Sequence, residues 1–356
     1  MKKRKISVLI TGVGGAGTLG RELMKSLKLS LNNYKIIVTN SSSLSVGLYD
    51  DDKSYLISKA TTKSYINDIL NICKKEKIDV IIGGSEPEIK KLAENHDLFL
   101  KNKIVLLSNK EKIINLCSDK LKLSEFLIKN KIKTPKTFAF HTKKDIKKIE
   151  SYPVIIKPKT GSGSRNIHLA NDEDEVEFFS NYLKKYNLEP IIQEYIPNFE
   201  EEFTIGILYA DKGKLKTSIA MKRILEGGIS TKDVRINPKN KKKSVVSSGI
   251  SQGYFDDFKS IKKFGEEVVK VLDADGPINI QCRKIKNEIY IFEINPRFSG
   301  TVTSRALVGL NEPDILIQYK IFNQQPNGKK IKTGYVMKDL KEKYISKNDI
   351  KNLNKL

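Results

Sequence analysis

The first 110 or so residues alternate short β-branched runs with longer helical ones, and this alternation restricts the fold more than any other feature of the chain. ISVLI leads through a glycine turn into TLGRELMKSLKLS, and KIIVTN precedes SYINDILNICKKEK. IDVIIGG then precedes a helical stretch through EPEIKKLAENHDLFL, and KIVLLS follows. Strands separated by helices pair in parallel through crossover connections, so residues 1–110 are expected to form a doubly wound α/β domain.

Beyond that point the order of elements changes. A helix DKLKLSEFLIKN, capped by Ser118 or Asp119, gives way to the strands PVIIKPK, EPIIQEYI, EEFTIGILYA, KLKTSIAMKR, GPINIQCRKI and EIYIFEINPRF. Helices intervene at DEVEFFSNYLKKY and FKSIKKFGEEVVKVL. This is an α+β region with hairpins, divided as 111–190 and 191–325. Residues 326–356 are polar and Lys/Asn-rich, and are expected to be a peripheral or partly flexible extension.

Composition narrows the function classes. No apolar run in the 356 residues approaches the ~20 needed to span a membrane, and the basic start MKKRKISVLI reads as a first strand rather than a signal peptide. The net charge of +23 invites a nucleic-acid partner. Only 8 of the 65 basic residues are Arg, however, and no stripe of aromatics is interleaved with them, so the charge reads as a bias spread over solvated faces and no nucleic acid is expected. Cys73, Cys117 and Cys282 lack paired spacing, which suits a reducing cytoplasm; with His96, His141 and His168 they form no zinc motif.

TGVGGAGTLG contains two overlapping G-x-G-x-x-G matches, Gly12/Gly14/Gly17 and Gly15/Gly17/Gly20, between a strand and a helix. A nicotinamide site also needs an acidic residue at the end of the second strand for the ribose hydroxyls, and KIIVTNSSS ends in Asn40 and serines. A tight turn that lets a helix pack on a sheet is the favoured reading, with an NAD(P) oxidoreductase as a competitor. No Walker A loop occurs anywhere.

The second half holds a richer set. Lys157 and Lys159 lead a buried strand into a loop with Gly161 and Gly163, where backbone N–H groups can approach phosphates and the lysines supply charge. Lys120 opens a helix, a place the helix dipole disfavours for a cation, which suggests a ligand reason. Glu194 ends one strand and Glu202 begins the next. A strand edge there could serve an adenine and Glu202 the ribose hydroxyls, a solvated turn being the alternative for each. In YIFEINPRFSG strict alternation sets Ile289, Ile291, Glu293, Asn295 and Arg297 on one face. A three-residue turn of Lys286, Asn287 and Glu288, with Asn287 left-handed, pairs Ile285 with Ile289 and stands Gln281 across from Glu293; a two-residue turn would put Gln281 on the other face. Gln281, Glu293 and Asn295 suit Mg²⁺ held with nucleotide phosphates, and Arg297 could grip a transferring phosphoryl group.

Lys120, Lys157 with its glycine loop, QEYI, EEFTIG and Q…E-I-N-P-R together resemble the ATP-grasp superfamily, in particular one synthetase unit of the carbamoyl-phosphate synthetase large subunit and related carboxylate–amine ligases. The resemblance spans residues 1–325. It implies a doubly wound pre-ATP-grasp domain followed by a two-subdomain ATP-grasp fold, with the glycine turn near the substrate. It further implies Lys120 and Lys157 on ATP phosphates, the loop from Gly161 to Arg165 as a lid, and Glu194, Tyr195 and Ile196 at adenine. Glu202 is implied on ribose, Gln281, Glu293 and Asn295 on Mg²⁺ or Mn²⁺, and Arg297 at the phosphoryl centre. Glu86 and Arg305 are candidates for the acceptor pocket, against a helix-start carboxylate and a helix-surface Arg. The activity implied is a cytoplasmic ligase that joins a small carboxylate to an amine through an acyl-phosphate, with a homodimer as default. Phosphorylation of bicarbonate or carbamate is the alternative, distinguished by a small, closed acceptor pocket.

Overall fold

The computed structural model describes residues 5–50, 53–161, 163–225, 228–236, 241–328 and 330–355; Ser162, inside the expected glycine loop, lies outside them. The N-terminal unit runs β1 (Ser7–Ile10), α1 (Leu19–Lys28), β2 (Lys35–Asn40), β3 (Ser54–Leu56), α2 (Tyr65–Glu76), β4 (Val80–Ile82), α3 (Glu86–Ala93), α4 (His96–Lys101) and β5 (Val105–Leu106). Its strands are parallel in the order β3-β2-β1-β4-β5, which is the doubly wound sheet expected. Val8, Leu9 and Ile10 are fully buried because helices cover both faces, so this strand is apolar throughout rather than alternating.

The glycines of the first turn serve packing. A Cβ on Gly20 would lie 2.6 Å from the carbonyl oxygens of Thr11 and Gly12, so α1 can meet the strand end only if that position is bare.

Helices α5 (Glu111–Ser118) and α6 (Lys120–Lys129) connect to an antiparallel sheet of β6 (Thr137–Ala139), β7 (Val154–Pro158), β8 (His168–Ala170) and β9 (Pro190–Glu194), in the order β6-β9-β7-β8 with α7 (Glu173–Lys185) packed on it. Asp119 rather than Ser118 caps α6, accepting from the N–H groups of Leu121 and Lys122 at 3.1 Å.

The larger antiparallel sheet is built from β10 (Glu202–Ala210), β11 (Leu215–Arg223), β14 (Gly253–Phe255), β15 (Gly276–Ile285) and β16 (Glu288–Asn295), in the order β16-β15-β10-β11-β14. A separate hairpin of β12 (Thr231–Ile236) and β13 (Lys243–Ser247) precedes β14, α8 (Lys259–Val271) covers one face of the sheet, and α9 (Val302–Leu307) and α10 (Glu312–Phe322) follow β16. One core joins the two large units: Leu208 and Leu215 of the second sheet pack with Val8, Leu23, Val302 and Leu316.

The extension is more ordered than its composition suggests. β17 (Gly334–Val336) pairs with β14, α11 (Lys347–Lys351) follows, and β18 (Asn354–Lys355) pairs in parallel with β3. Between them Lys338 donates to the Gly300 carbonyl at 2.8 Å and pairs with Glu22 at 3.2 Å. The segment therefore runs from the edge of one large sheet to the edge of the other.

Candidate active site

The strand that carries Glu293 reaches its geometry by an unexpected route. The turn has two residues, Lys286 and Asn287, with Ile285 paired to Glu288 and Lys286 in the left-handed region (φ 53°). A regular ladder from that turn would put Gln281 opposite the wrong face. A β-bulge corrects it: Cys282 pairs with Ile291 but Gln281 pairs with Glu293, so Phe292 is the extra residue. The expected alternation fails at the same place. Ile289, Ile291 and Ile294 pack into the core with α8, whereas Phe292 and Glu293 both line a cavity on the other side.

Across the sheet, Glu202 stands opposite Arg283, Thr204 opposite Gln281 and Gly206 opposite Asn279. One face thus carries Glu202, Thr204, Asn279, Gln281, Arg283 and Glu293, while Phe203, Ile205, Ile278 and Ile280 fill the core on the other. This face and the four-stranded sheet enclose a cleft. Lys120, Lys157, Gly161, Glu194, Tyr195, Ile196, Glu202, Gln281 and Glu293, all singled out from the sequence, line it together.

Its charged end is defined by two lysines. Lys157 is 4% exposed and donates to Gln193 Oε1 at 2.7 Å, while Lys120 reaches the Gly161 carbonyl at 2.7 Å. Burial pushes the Lys157 ammonium down to about 7, the charge of Lys120 acts in the same direction, and Glu293 opposes them. Gly161 (φ 123°) and Gly163 (φ 68°) are glycines because of their backbone angles, since a Cβ on either would meet nothing within 4 Å.

Several residues stand apart from expectation. Lys159 does not join Lys157: β7 ends at Pro158, alternation stops there, and Lys159 pairs with Glu189 away from the cleft. Gly163 lines a second cavity rather than the first. Glu202 is fully buried between two guanidiniums, accepting from Arg223 Nη1 and Arg283 Nε at 2.8 Å each. Burial alone would raise its carboxyl, and Arg283 with Arg223 more than reverses this, holding it below the usual range. Glu202 is therefore the hub of an ion-pair cluster, with both oxygens engaged, rather than an open acceptor for ribose. The Ile196 carbonyl is likewise engaged, by Arg283 Nη1 at 2.6 Å.

Arg305 departs furthest. It has no exposed surface, and its guanidinium donates to Glu312 at 2.9 and 3.1 Å and to Asn279 Oδ1 at 2.8 Å. It cannot touch an acceptor, because the α9–α10 connection folds Glu312 over it. Gly206 makes room beneath: a Cβ there would lie 1.9 Å from Arg305 Nη1.

The second cavity lies beyond Glu293 and shares Ser164, Gln281 and Glu293 with the first. Arg297 lines it, donating to the Phe298 carbonyl at 2.8 Å and more loosely to Glu86 at 3.3 Å and Asn295 at 3.4 Å. Glu86 is thus brought to Arg297 from the N-terminal unit, 211 residues away in sequence. The glycine turn also comes close, Gly17 lying against Ile250 beside this cavity.

The oxygen donors fit a hard divalent cation. Gln281 Nε2 donates to Glu293 Oε2 at 2.9 Å, and Asn295 Nδ2 is buried without a partner, so a half-turn of that amide would offer an oxygen in its place. Among the described residues no group of three or more His, Cys, Asp or Glu could hold a metal. One carboxylate and two amides match Mg²⁺ shared with phosphates rather than caged by protein.

Residues 117–301 match the ATP-grasp domain family, more than half of the chain. The chain belongs to the ATP-grasp family. Residues 8–107 match the N-terminal domain of PylC-like proteins. ATP-grasp enzymes are ligases that use ATP and Mg²⁺, in agreement with the donor set above. Curated relatives include the C-terminal section of the carbamoyl phosphate synthase large chain of Aquifex aeolicus, 24% identical over 77% of this chain and 49% of the relative. The large chain of Clostridium botulinum (strain Langeland) is 29% identical over 66% of this chain and 21% of its own. The ATP-grasp chain thus spans half or less of the length of these relatives. Biotin carboxylase of Campylobacter jejuni shares the fold with a TM-score of 0.64 at 16% identity, over 93% of this chain and 74% of that one. N5-carboxyaminoimidazole ribonucleotide synthetase of Thermotoga maritima does so with a TM-score of 0.56 at 18% identity, over 88% and 75%. No helix among the described residues is long and apolar enough to cross a membrane.

Sequence reasoning missed Arg283 and Asn279. A signal was available: in a chain whose default cation is Lys, an Arg marks a place that needs a planar, many-donor group. Arg165, Arg223, Arg283 and Arg297 all line the two cavities.

Proposed function

We propose that this protein uses MgATP to activate a small carboxylate as an acyl-phosphate and joins it to an amine. The observation that carries this reading is the position of Gln281 and Glu293 in the wall common to both cavities. A cleft lined by Lys120 and Lys157 adjoins there a polar space for an acceptor. In the reaction a carboxylate oxygen forms a bond to the γ-phosphorus as the bond to ADP breaks. The amine nitrogen then attacks the acyl carbon, inorganic phosphate leaves, and the nitrogen loses a proton.

Lys157 and Lys120 would hold the phosphates, and the strand edge at Glu194, Tyr195 and Ile196 would receive adenine. Glu293, Gln281 and Asn295 would hold Mg²⁺, which when bound neutralises phosphate charge during an in-line transfer. Arg297 would meet the transferred group from the acceptor side, tethered loosely enough by Glu86 and Asn295 to exchange those contacts for phosphoryl oxygens. Glu202, Arg223 and Arg283 fix the wall behind the site.

The test is ADP release from MgATP with pools of small carboxylates, using hydroxylamine as a general nucleophile that traps acyl-phosphates as hydroxamates. Carboxylate-dependent ADP accompanied by hydroxamate is expected. ADP release that no carboxylate alters would defeat the reading.

A second expectation follows from Lys157. With its ammonium pushed down to about 7, Lys157 is largely neutral in the free protein at pH 8, and bound phosphates restore its charge. Nucleotide binding at pH 8 should therefore take up close to one proton, with less uptake at pH 6 and weaker affinity as pH rises above 7. Calorimetry in buffers of different ionisation heat measures this. Uptake that persists unchanged in Lys157→Ala would remove Lys157 from the phosphates.

A further inference from the structure

Among the described residues, the cavity beyond Glu293 has no aliphatic or aromatic side chain in its wall. Beside Gln281, Glu293 and Arg297, which the proposed reaction places at the cation and the transferred phosphoryl group, its wall is made of glycines, serines and threonines such as Thr204, Ser251, Ser299 and Thr301, with Asn279 and Arg223. Arg223 is held by Glu202 and by the carbonyls of Ser248 and Ile250. The nucleotide cleft beside it is walled differently, with Ile155, Ile167, Val246 and Phe292 among its lining. The contrast between adjoining cavities says what each is built to receive.

Asn279 shows how finely the polar cavity is set. It is 3% exposed, and its Oδ1 accepts from Thr204 Oγ1 at 2.7 Å and from Arg305 Nη2 at 2.8 Å. The amide cannot be reversed, since its N–H₂ would then face the Arg305 donor, and Arg305 is itself locked by Glu312 above Gly206. Asn279 is thereby fixed as a donor toward the cavity, and Arg305 is the positioning residue that fixes it.

An alkyl group placed in such a space would strip water from hydroxyls and amides and give them no partner, a loss of about tenfold or more in binding for each group left unpaired. A ligand with its own hydroxyl or amino groups replaces that water. Sites built this way reject analogues that lack the polar group far more strongly than apolar pockets reject a missing methylene.

We propose that the carboxylate activated by this protein is a compact, hydrophilic acid bearing one or more hydroxyl groups, with Asn279 donating to one of its oxygens. The inference rests on the ligase reading above. It is tested with small carboxylates arranged as near-isosteric pairs, such as serine against 2-aminobutanoate, threonine against valine and glycerate against 2-methylbutanoate, extended to sugar acids and their alkyl counterparts. ADP and hydroxamate are measured with MgATP and hydroxylamine. The hydroxylated member of an active pair should exceed its alkyl partner by at least about tenfold in kcat/KM, the scale of a single unpaired buried group. Carboxylate-dependent ADP in which alkyl members equal or exceed their partners overturns this proposal and leaves the ligase standing. No carboxylate-dependent ADP from either class, with MgATP still bound, overturns the ligase reading and this proposal with it.

Asn279→Asp supplies the second measurement. It keeps the oxygen that Thr204 and Arg305 need but removes the donor. KM for the best carboxylate should rise at least about tenfold while MgATP affinity holds. Equal losses for both substrates would show Asn279 to be merely structural and overturn its assignment.

Discussion

Glu293→Ala should lower ADP formation on the order of 10³-fold while leaving the fold intact, the scale reached when preorganised charge at a transferring group is lost. Glu293 is the only carboxylate of the three expected metal donors, and it lines both cavities. Its removal takes the formal negative charge from the cation site and frees Gln281 Nε2 from its 2.9 Å bond. Glu293→Gln should be nearly as inactive, because it keeps the shape and loses the charge. The measurement is steady-state ADP release with far-UV circular dichroism as the control for folding. Turnover within tenfold of the parent in either variant would sink the metal assignment.

Glu202→Ala should cost about 3–5 kcal/mol of stability, the range found when one partner of a buried ion pair is removed. Arg223 and Arg283 are 1% and 7% exposed, and without Glu202 two guanidiniums would share one interior with no carboxylate between them. Because the Glu202 carboxyl is lowered in the folded protein, its contribution is present above the ordinary carboxylate pKa and is lost as pH falls through the lowered value. Urea unfolding at pH 7 reads the difference directly. A change below about 1 kcal/mol would mean that the cluster rearranges and that Glu202 is not its hub.

These two residues also show what could be read from the sequence. Glu293 was legible as a site residue because a carboxylate at the end of an apolar strand needs a reason, and Gln281 was correctly set opposite it. The route was misread. A two-residue turn and a bulge at Phe292 together reach the register that a three-residue turn alone would give, and nothing in IYIFEI marks which of its β-formers is the extra one. Glu202 was legible as a position but not as a partner, since Arg223 and Arg283 come to it on two neighbouring strands. Arg305 failed for the same reason: its environment is made by Gly206, Asn279 and Glu312, which only the finished sheet brings together. The parallel sheet was the easiest element to foresee, because strands buried on both faces announce themselves as unbroken apolar runs. β17 and β18, three and two residues long, are too short to carry any period.

Those two strands bear on the order in which the molecule can be completed. In the sequence β17 and β18 come after all the other strands, yet each forms an outer edge of a large sheet, one beside β14 and the other beside β3. During synthesis both sheets therefore wait with an unpaired rim, and the N-terminal one waits the longer, since 297 residues separate Leu56 from Asn354. An uncovered rim is a template for another chain, so the same short segment that ties the two units together also ends the period in which nascent copies can join edge to edge.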